Sequence, residues 1–382
     1  MNLRILSSLL AFGLAVQAQT PVKLGVINCV TGTQAPIGEY ISNGYKLAIE
    51  DLQKKGIKVD LVSEDDTGKP QVSMSAFEKL ATRDRVAAVV GPYSSACANA
   101  VSKLAEKYRV PLLVPVASKE DITRQNQKYV FRLSATTEDY ASILISMAQK
   151  LGKPKTMAIL NENTDFGTSG AKSAKAYAGQ VGIQVVMEEA YQAGSPDYRS
   201  TLAKVKAAKP DLVFMVSYVA DGILLMRQAR EVGLQPQAFL GAGAGFASSE
   251  FAREQAISHG VFSSTQWTTD VSWPGAKDFG ARYKAKFGKS EVPYHAANAY
   301  ASMMVMAEAA AKVGGDRERL RGELRGGHWN GIMGDVRFVD YNGYMNQNKH
   351  QMLVEQIQNG RHETVWPPEY ATKKPLYPFK WK

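Results

Sequence analysis

The sequence predicts an α/β protein made of two doubly wound, parallel-sheet lobes. Three observations carry this prediction. Short apolar segments alternate with segments of helical periodicity along the chain, the signature of strand–helix–strand units in a sheet covered on both faces. The alternation restarts near residue 155. The two halves also echo each other: Tyr93 and Tyr218 each follow an apolar strand and open a helix, 18 residues before a proline (Pro111 and Pro236) that opens the next strand. At 382 residues the chain is long for one core and comfortable for two. A single large sheet is the alternative that these observations disfavour.

In order, the first half predicts a strand over 22–28, an amphipathic helix over 38–54 and a strand over 58–63. A helix over 70–82 follows, with Pro70 in its first turn. Strands begin at Val86, Pro111 and Tyr129, separated by helices over 95–108 and 119–125. The second half predicts a strand over 155–160, a helix over 165–180, a strand over 184–189 and a helix over 198–207. Residues 211–216 are almost wholly apolar, as a strand buried on both faces requires. The helix after Tyr218 stops at Gly233. After Val261-Phe262-Ser263-Ser264 the chain turns helical, over 274–287 and 293–313, and strands near 335–339 and 351–358 follow. Residues 366–382, rich in proline and aromatics, are expected to pack extended on the surface.

Composition narrows the classes. A 45% hydrophobic and 21% charged chain is an ordinary globular protein. Residues 1–18 read as a secretory signal peptide, with Arg4, an apolar run to Val16 and small residues at Val16-Gln17-Ala18 for cleavage. The mature protein is therefore expected to be soluble and periplasmic. The net charge of +10 raises the question of nucleic acid. Its basic residues are interleaved with acids, as in Lys103-Leu104-Ala105-Glu106-Lys107, so a solvated basic surface is the expected reading, with no nucleic-acid partner. Cys29 and Cys97 are too few for a metal site or a disulfide framework. One bond between them and two buried free thiols both remain open.

The chemistry concentrates in Arg85 to Ala96, where an apolar strand stops at Gly91-Pro92 and delivers Tyr93, Ser94 and Ser95 to a helix start. That geometry presents free backbone N–H groups and hydroxyls to an anion. About twenty residues on, an apolar strand ends at Val116, Ala117 and Ser118. Two such crests on neighbouring parallel strands make a small-anion site, and a small carboxylate is the expected ligand.

These residues, in order and spacing, resemble the branched-chain amino-acid-binding family of periplasmic receptors that serve ABC importers. The likeness runs over nearly the whole chain after residue 18: Lys23-Leu24-Gly25-Val26, Thr31-Gly32, Gly38, Asp65-Asp66, Val89-Val90-Gly91, Pro115, Asp165-Phe166-Gly167, Arg227-Gln228-Ala229 and Gly233-Leu234. The resemblance implies the type I periplasmic binding fold, two lobes joined by three hinge crossings and closing on a ligand. The crossings would fall near Leu133, Ser264 and Tyr341, giving a first lobe of 19–133 plus 265–340 and a second of 134–264 plus 341–382. It implies a carboxylate clamp at Ser95 and Ser118, with Tyr93, Ser94, Val116 and Ala117 adjoining. Phe166 and Tyr218 would close from the second lobe, and Ile37 and His295 would line the side-chain end. The implied partner is an ABC permease, and a monomer is expected. An exported sensor subunit is the other role open to such a receptor.

One position departs from the family. Amino-acid-binding relatives carry an acid that pairs with the ligand's ammonium group where this chain has Gly243, and Gly241 to Phe246 contain no carboxylate. Burying an ammonium without a counter-charge costs several kcal/mol. Either another acid substitutes, Asp221 being the nearest in sequence, or the ligand is an aromatic or other non-amino carboxylate. Asp221 is otherwise expected to be a helix cap.

Enzymatic chemistry finds little support. Gly241-x-Gly243-x-Gly245 lacks dinucleotide-loop spacing and does not follow the first strand of its unit. There is no nucleophile elbow or zinc motif, and His259, His295, His328, His350 and His362 are dispersed. Ser95 has no histidine tied to it by the sequence, so its hydroxyl is read as a donor to carboxylate. No catalytic residue, metal or cofactor is expected.

Overall fold

The computed structural model describes residues 21–381; the segment read as a signal peptide lies outside the described residues. Two seven-stranded sheets form the frame. The strands are β1 (Val22–Asn28), β2 (Val59–Asp65), β3 (Ala88–Val90), β4 (Leu112–Val114), β5 (Val130–Arg132), β6 (Thr156–Glu162), β7 (Gln184–Tyr191) and β8 (Leu212–Val216). They continue with β9 (Ala238–Gly241), β10 (Phe262–Thr265), β11 (Trp329–Gly331), β12 (Gly334–Val336), β13 (Val339–Tyr341), β14 (Tyr344–Gln347), β15 (Leu353–Gln358) and β16 (Arg361–Trp366). The first sheet runs β13-β14-β5-β4-β3-β1-β2 and the second β16-β15-β10-β9-β8-β6-β7, with β11 and β12 paired apart. Each sheet has a parallel centre in the order 2-1-3-4-5 and an antiparallel edge pair. The echo between Tyr93 and Tyr218 is thus a repeated lobe plan.

The helices are α1 (Ala35–Lys54), α2 (Pro70–Glu78), α3 (Ser95–Tyr108), α4 (Asp121–Arg124), α5 (Thr137–Gly152), α6 (Asp165–Gln180) and α7 (Arg199–Ala208). After them come α8 (Val219–Glu231), α9 (Ser249–Arg253), α10 (Gln255–Ser258), α11 (Ala276–Phe287), α12 (Tyr294–Val313) and α13 (Arg317–Gly326). Helix α12 is alanine-rich and buried on nearly every side because it lies in the first lobe's core against α1. Gly44 makes that approach possible: a Cβ there would stand 2.3 Å from the Ala296 carbonyl oxygen. The sequence reading assigns no element to 137–152, where α5 begins with a Thr136–Asp139 capping box.

The chain passes between sheets over residues 133–136, immediately after Thr265, and over 348–352. The third passage is later than the Tyr341 expectation because β14 stays in the first sheet, pairing Gln347 with Arg132. The passages are tied together by amide side chains. Gln266 Oε1 accepts from Ala135 N (2.9 Å) and Asn298 Nδ2 (3.0 Å), and Gln347 Nε2 donates to Ser134 O (2.7 Å). Cys29 and Cys97 are both buried free thiols, and burial pushes the Cys97 thiol up to about 11. The C-terminal residues, which carry no helix or strand after Trp366, lie along the second lobe, where Trp381 stacks on Phe239 at 5.0 Å.

Candidate functional site

In both lobes the chain turns from strand to helix at the switch point of the sheet, and these two junctions face each other. On the first lobe Gly91 adopts φ +122°, a conformation that brings its backbone against β1; a Cβ would lie 2.1 Å from the Ile27 carbonyl oxygen. Ser94 caps α3, its Oγ accepting from Cys97 N at 3.2 Å. The amides of Ser95 and Ala96 lie in the first turn of α3, where the helix supplies no partner. Ser95 Oγ accepts from both Ser118 N and Lys119 N at 3.3 Å, which leaves its own proton to donate outward.

The second crest differs from expectation. The helix expected over 119–125 is the single turn α4, and the Ser118 and Lys119 amides turn back to Ser95 rather than facing the crevice. Ser118 Oγ lies 3.1 Å from Val116 O and 3.1 Å from the Tyr140 hydroxyl. Val116 presents its carbonyl, which also accepts from Ser134 Oγ at 2.7 Å, and Ala117 is buried beside it. The structure therefore brings Ser95, Val116, Ala117 and Ser118 together, but the hydroxyl proton left to donate belongs to Ser95.

Aromatic side chains cover this rim. Tyr93 and Tyr218 meet across the lobes with ring centroids 5.8 Å apart, and Phe166 lies 5.4 Å from Tyr218. The Ser95 backbone N–H reaches the Tyr218 hydroxyl. Behind Tyr93, His295 makes edge contact at 5.8 Å and stacks on Tyr294 at 4.1 Å. His295 is fully buried, neither ring nitrogen has a hydrogen-bond partner, and burial alone pushes its pKa down to about 3. It is a neutral imidazole at any ordinary pH. Ile37, from the first turn of α1, lies on the same side of the crevice as Tyr93.

Gly243 sits at φ +59° and ψ −139°. A Cβ there would come within 3.2 Å of the Ser264 carbonyl oxygen and 3.4 Å of the Tyr140 ring. Two neutral phenols close this region. The Tyr140 hydroxyl receives from Gln266 Nε2 at 2.6 Å and lies 3.4 Å from the Tyr294 hydroxyl, which accepts from Ala244 N at 3.3 Å. No carboxylate replaces the one the family resemblance leads one to expect there. Asp221 does not cap α8 as expected; its Oδ2 accepts from Gly194 N at 2.9 Å.

Between the junctions lies a cavity of about 310 Å³, lined from the first lobe by Gln34, Ile37 and Tyr93 and from the second by Glu162, Tyr218 and Asp221, among others. Its volume is at the small end of the ~300–1,000 Å³ range of small-molecule sites. Glu162, which the sequence reading does not single out, ends β6 and accepts from Tyr218 N. Burial, with Asp221 adding to it, pushes its carboxyl up to about 8. The available signal was an acid at the carboxyl end of an otherwise apolar strand.

Polar contacts fasten the lobes around this cavity. Lys119 Nζ meets Asp165 Oδ2 at 2.9 Å, and Asn99 Nδ2 donates to the same oxygen at 3.2 Å. The buried Glu120 carboxylate accepts from the hydroxyls of Thr137, Ser169 and Ser173. The Tyr40 hydroxyl donates to Glu250 at 2.6 Å. Among the described residues no group of three or more His, Cys, Asp or Glu could hold a metal ion, and no helix is long and apolar enough to cross a membrane.

Two mostly parallel lobes meeting at their switch points around a small crevice define a solute-capturing protein. The chain belongs to the periplasmic binding protein family, which it matches over residues 21–361. It is 29% identical over 381 residues to the Leu/Ile/Val-binding protein homolog 7 of Brucella suis, covering 94% of each chain. To homolog 8 of Brucella abortus it is 30% identical over 388 residues, covering 94% of this chain and 93% of the relative. Among solved structures it resembles the branched-chain amino acid transporter substrate-binding protein of Streptococcus pneumoniae, in complex with isoleucine. There the TM-score is 0.81 at 24% identity, covering 91% of this chain and 100% of that one. A solute-binding protein of an ABC transporter from Rhodopseudomonas palustris, in complex with 3,4-dihydroxybenzoic acid, matches with a TM-score of 0.81 at 24% identity, covering 93% and 99%.

Proposed function

We propose that this chain is the receptor of an ABC importer and that its lobes close over one small carboxylate, with a branched-chain or related amino acid as the leading ligand. The observation that carries the reading is the Ser95 junction, where helix-start amides and a hydroxyl with a proton to spare stand two residues on from Tyr93, which lines the interlobe cavity. Such donors strengthen on an anion, because charge-assisted bonds are roughly twice as strong as neutral ones. On closure Tyr93, Phe166 and Tyr218 exclude water, and Ile37 and His295 shape the side-chain end. The closed pair of lobes is the form a permease recognises, so capture and delivery are coupled.

A second reading keeps the same role for an aromatic or other non-amino carboxylate. It is favoured by the neutral surroundings of Gly243, where phenols stand in place of an acid. Thermal-shift screening of the purified protein against leucine, valine, benzoate and phenylacetate tests both. Stabilisation by at least one acid is expected. Stabilisation by none of them, or by neutral solutes alone, refutes the carboxylate reading.

A further inference from the structure

A second interlobe cavity, of about 630 Å³, opens where the segments flanking α11 meet β15 and β16. It shares no lining residue with the crevice that Tyr93 and Tyr218 cover. Four carboxyls line it, Asp270 and Glu291 from the first lobe and Glu355 and Glu363 from the second. Two of them are already engaged. Asp270 accepts from the hydroxyls of Thr364 (2.9 Å) and Thr372 (2.8 Å). His362 donates from both ring nitrogens, Nδ1 to Glu291 Oε2 at 3.2 Å and Nε2 to Phe246 O at 3.0 Å, a pattern that only the imidazolium can make. Glu355 is different. It is 9% exposed, its carboxyl makes no hydrogen bond or ion pair among the described residues, and His362, Glu291 and Asp270 all face it. On the first-lobe wall Thr268 is 5% exposed, and its Oγ1 is likewise without a hydrogen-bond partner. Buried polar groups are otherwise almost always paired. Lys284 and Arg361, the other cations of the lining, are exposed and form no ion pair among the described residues.

We propose that this cavity is a binding site for a small organic cation, a primary ammonium held by Glu355 of the second lobe with Thr268 of the first as a further acceptor. The acceptors choose the class. Carboxylate oxygens only accept, so the guest brings N–H donors and positive charge. A metal ion fits poorly, because among the described residues no three His, Cys, Asp or Glu side chains converge to hold one. Three carboxyls here face a single imidazolium, and Glu355 escapes the imbalance by keeping its proton. Burial pushes its carboxyl up to about 8; His362 opposes the rise, and Glu291 and Asp270 add to it. Binding therefore exchanges that proton, which leaves to solvent, for the ammonium. Because Thr268 and Glu355 belong to different lobes, the guest bridges them.

The test titrates 1,4-diaminobutane calorimetrically into the wild type, Glu355→Gln and Glu162→Gln, with 1,4-butanediol as the uncharged control and unfolding midpoints to verify folding. The wild type should bind the diamine and not the diol. Its Kd should fall about tenfold or more between about pH 6 and 8, as Glu355 gives up its proton more easily. Near pH 7 the heats in two buffers of different ionisation enthalpy should show about one proton released per diamine bound, a readout that needs no variant. Glu355→Gln should raise Kd about tenfold or more and remove the pH dependence. Glu162→Gln, in the other cavity, should leave the diamine affinity unchanged. Absence of binding, equal binding of the diol, absence of proton release, or wild-type affinity in Glu355→Gln overturns the proposal. A loss in Glu162→Gln alone overturns it as well and places the amine in the crevice.

Discussion

Replacing Ser95 by alanine separates the two crests of the proposed clamp more sharply than any other single change. Its hydroxyl accepts from Ser118 N and Lys119 N at 3.3 Å each and has its proton free. Both internal bonds are longer than the usual 2.9–3.0 Å for N–H···O, so they sit at the weak end, roughly 0.5 kcal/mol apiece. Ser95→Ala is therefore expected to cost about 1 kcal/mol of stability. The donor lost to a ligand carboxylate is charge-assisted and worth about 1.5–3 kcal/mol, a rise in Kd of roughly 10- to 150-fold. Ser118→Ala provides the contrast. Its hydroxyl proton is already taken up by Val116 O or the Tyr140 hydroxyl, so its Kd should rise by about threefold or less. The assay is calorimetry with whichever acid stabilises the wild type, beside urea unfolding of the same samples. A Ser95→Ala protein with wild-type affinity, or a larger loss in Ser118→Ala, refutes this assignment of donors.

Three further outcomes follow from other parts of the molecule. Asp165→Asn breaks the Lys119 ion pair across the lobes; the pair is partly exposed, so the loss is about 0.5–1 kcal/mol. Small-angle scattering should then show a more open protein, and unchanged scattering would contradict a clasp. Gly243→Ala places a side chain at positive φ with Ser264 O 3.2 Å away, and urea unfolding should show a loss of about 1–3 kcal/mol. A neutral result would mean the turn relaxes freely. Stability should also decline between about pH 6.5 and 9. Burial pushes Glu162 and Glu355 up to about 8, while for His362 burial is outweighed by Glu355 and Glu291, which hold it at about 9. All three keep protons when folded that the unfolded chain has released, so rising pH favours unfolding. A melting temperature that rises from pH 6.5 to 9 contradicts this reading.

The lobes were legible because their signals are local. The wholly apolar 211–216 run is β8, and Tyr93 and Tyr218 stand at matching junctions of two sheets with the same strand order. The place of Ser95 at a helix start was legible for the same reason: strand, turn and cap are contiguous. What escaped depends on contacts between distant segments. The direction of the Ser118 hydroxyl is set by Tyr140 on α5, and the third passage between sheets is set by Gln347 pairing with Arg132 across 215 residues. Helix α5 was missed although its capping box is present at Thr136 and Asp139. Glu162 reads as a strand end until folding places it beside Asp221 and opposite Tyr93.

The most direct trial of the whole account is a crystal structure of the protein with the acid that stabilises it best. The carboxylate should lie within about 2.7–3.1 Å of Ser95 N and Ser95 Oγ, with the Tyr218 hydroxyl displaced from that amide. A ligand seated elsewhere, or one held at Ser95 by a group that is not an acid, contradicts it.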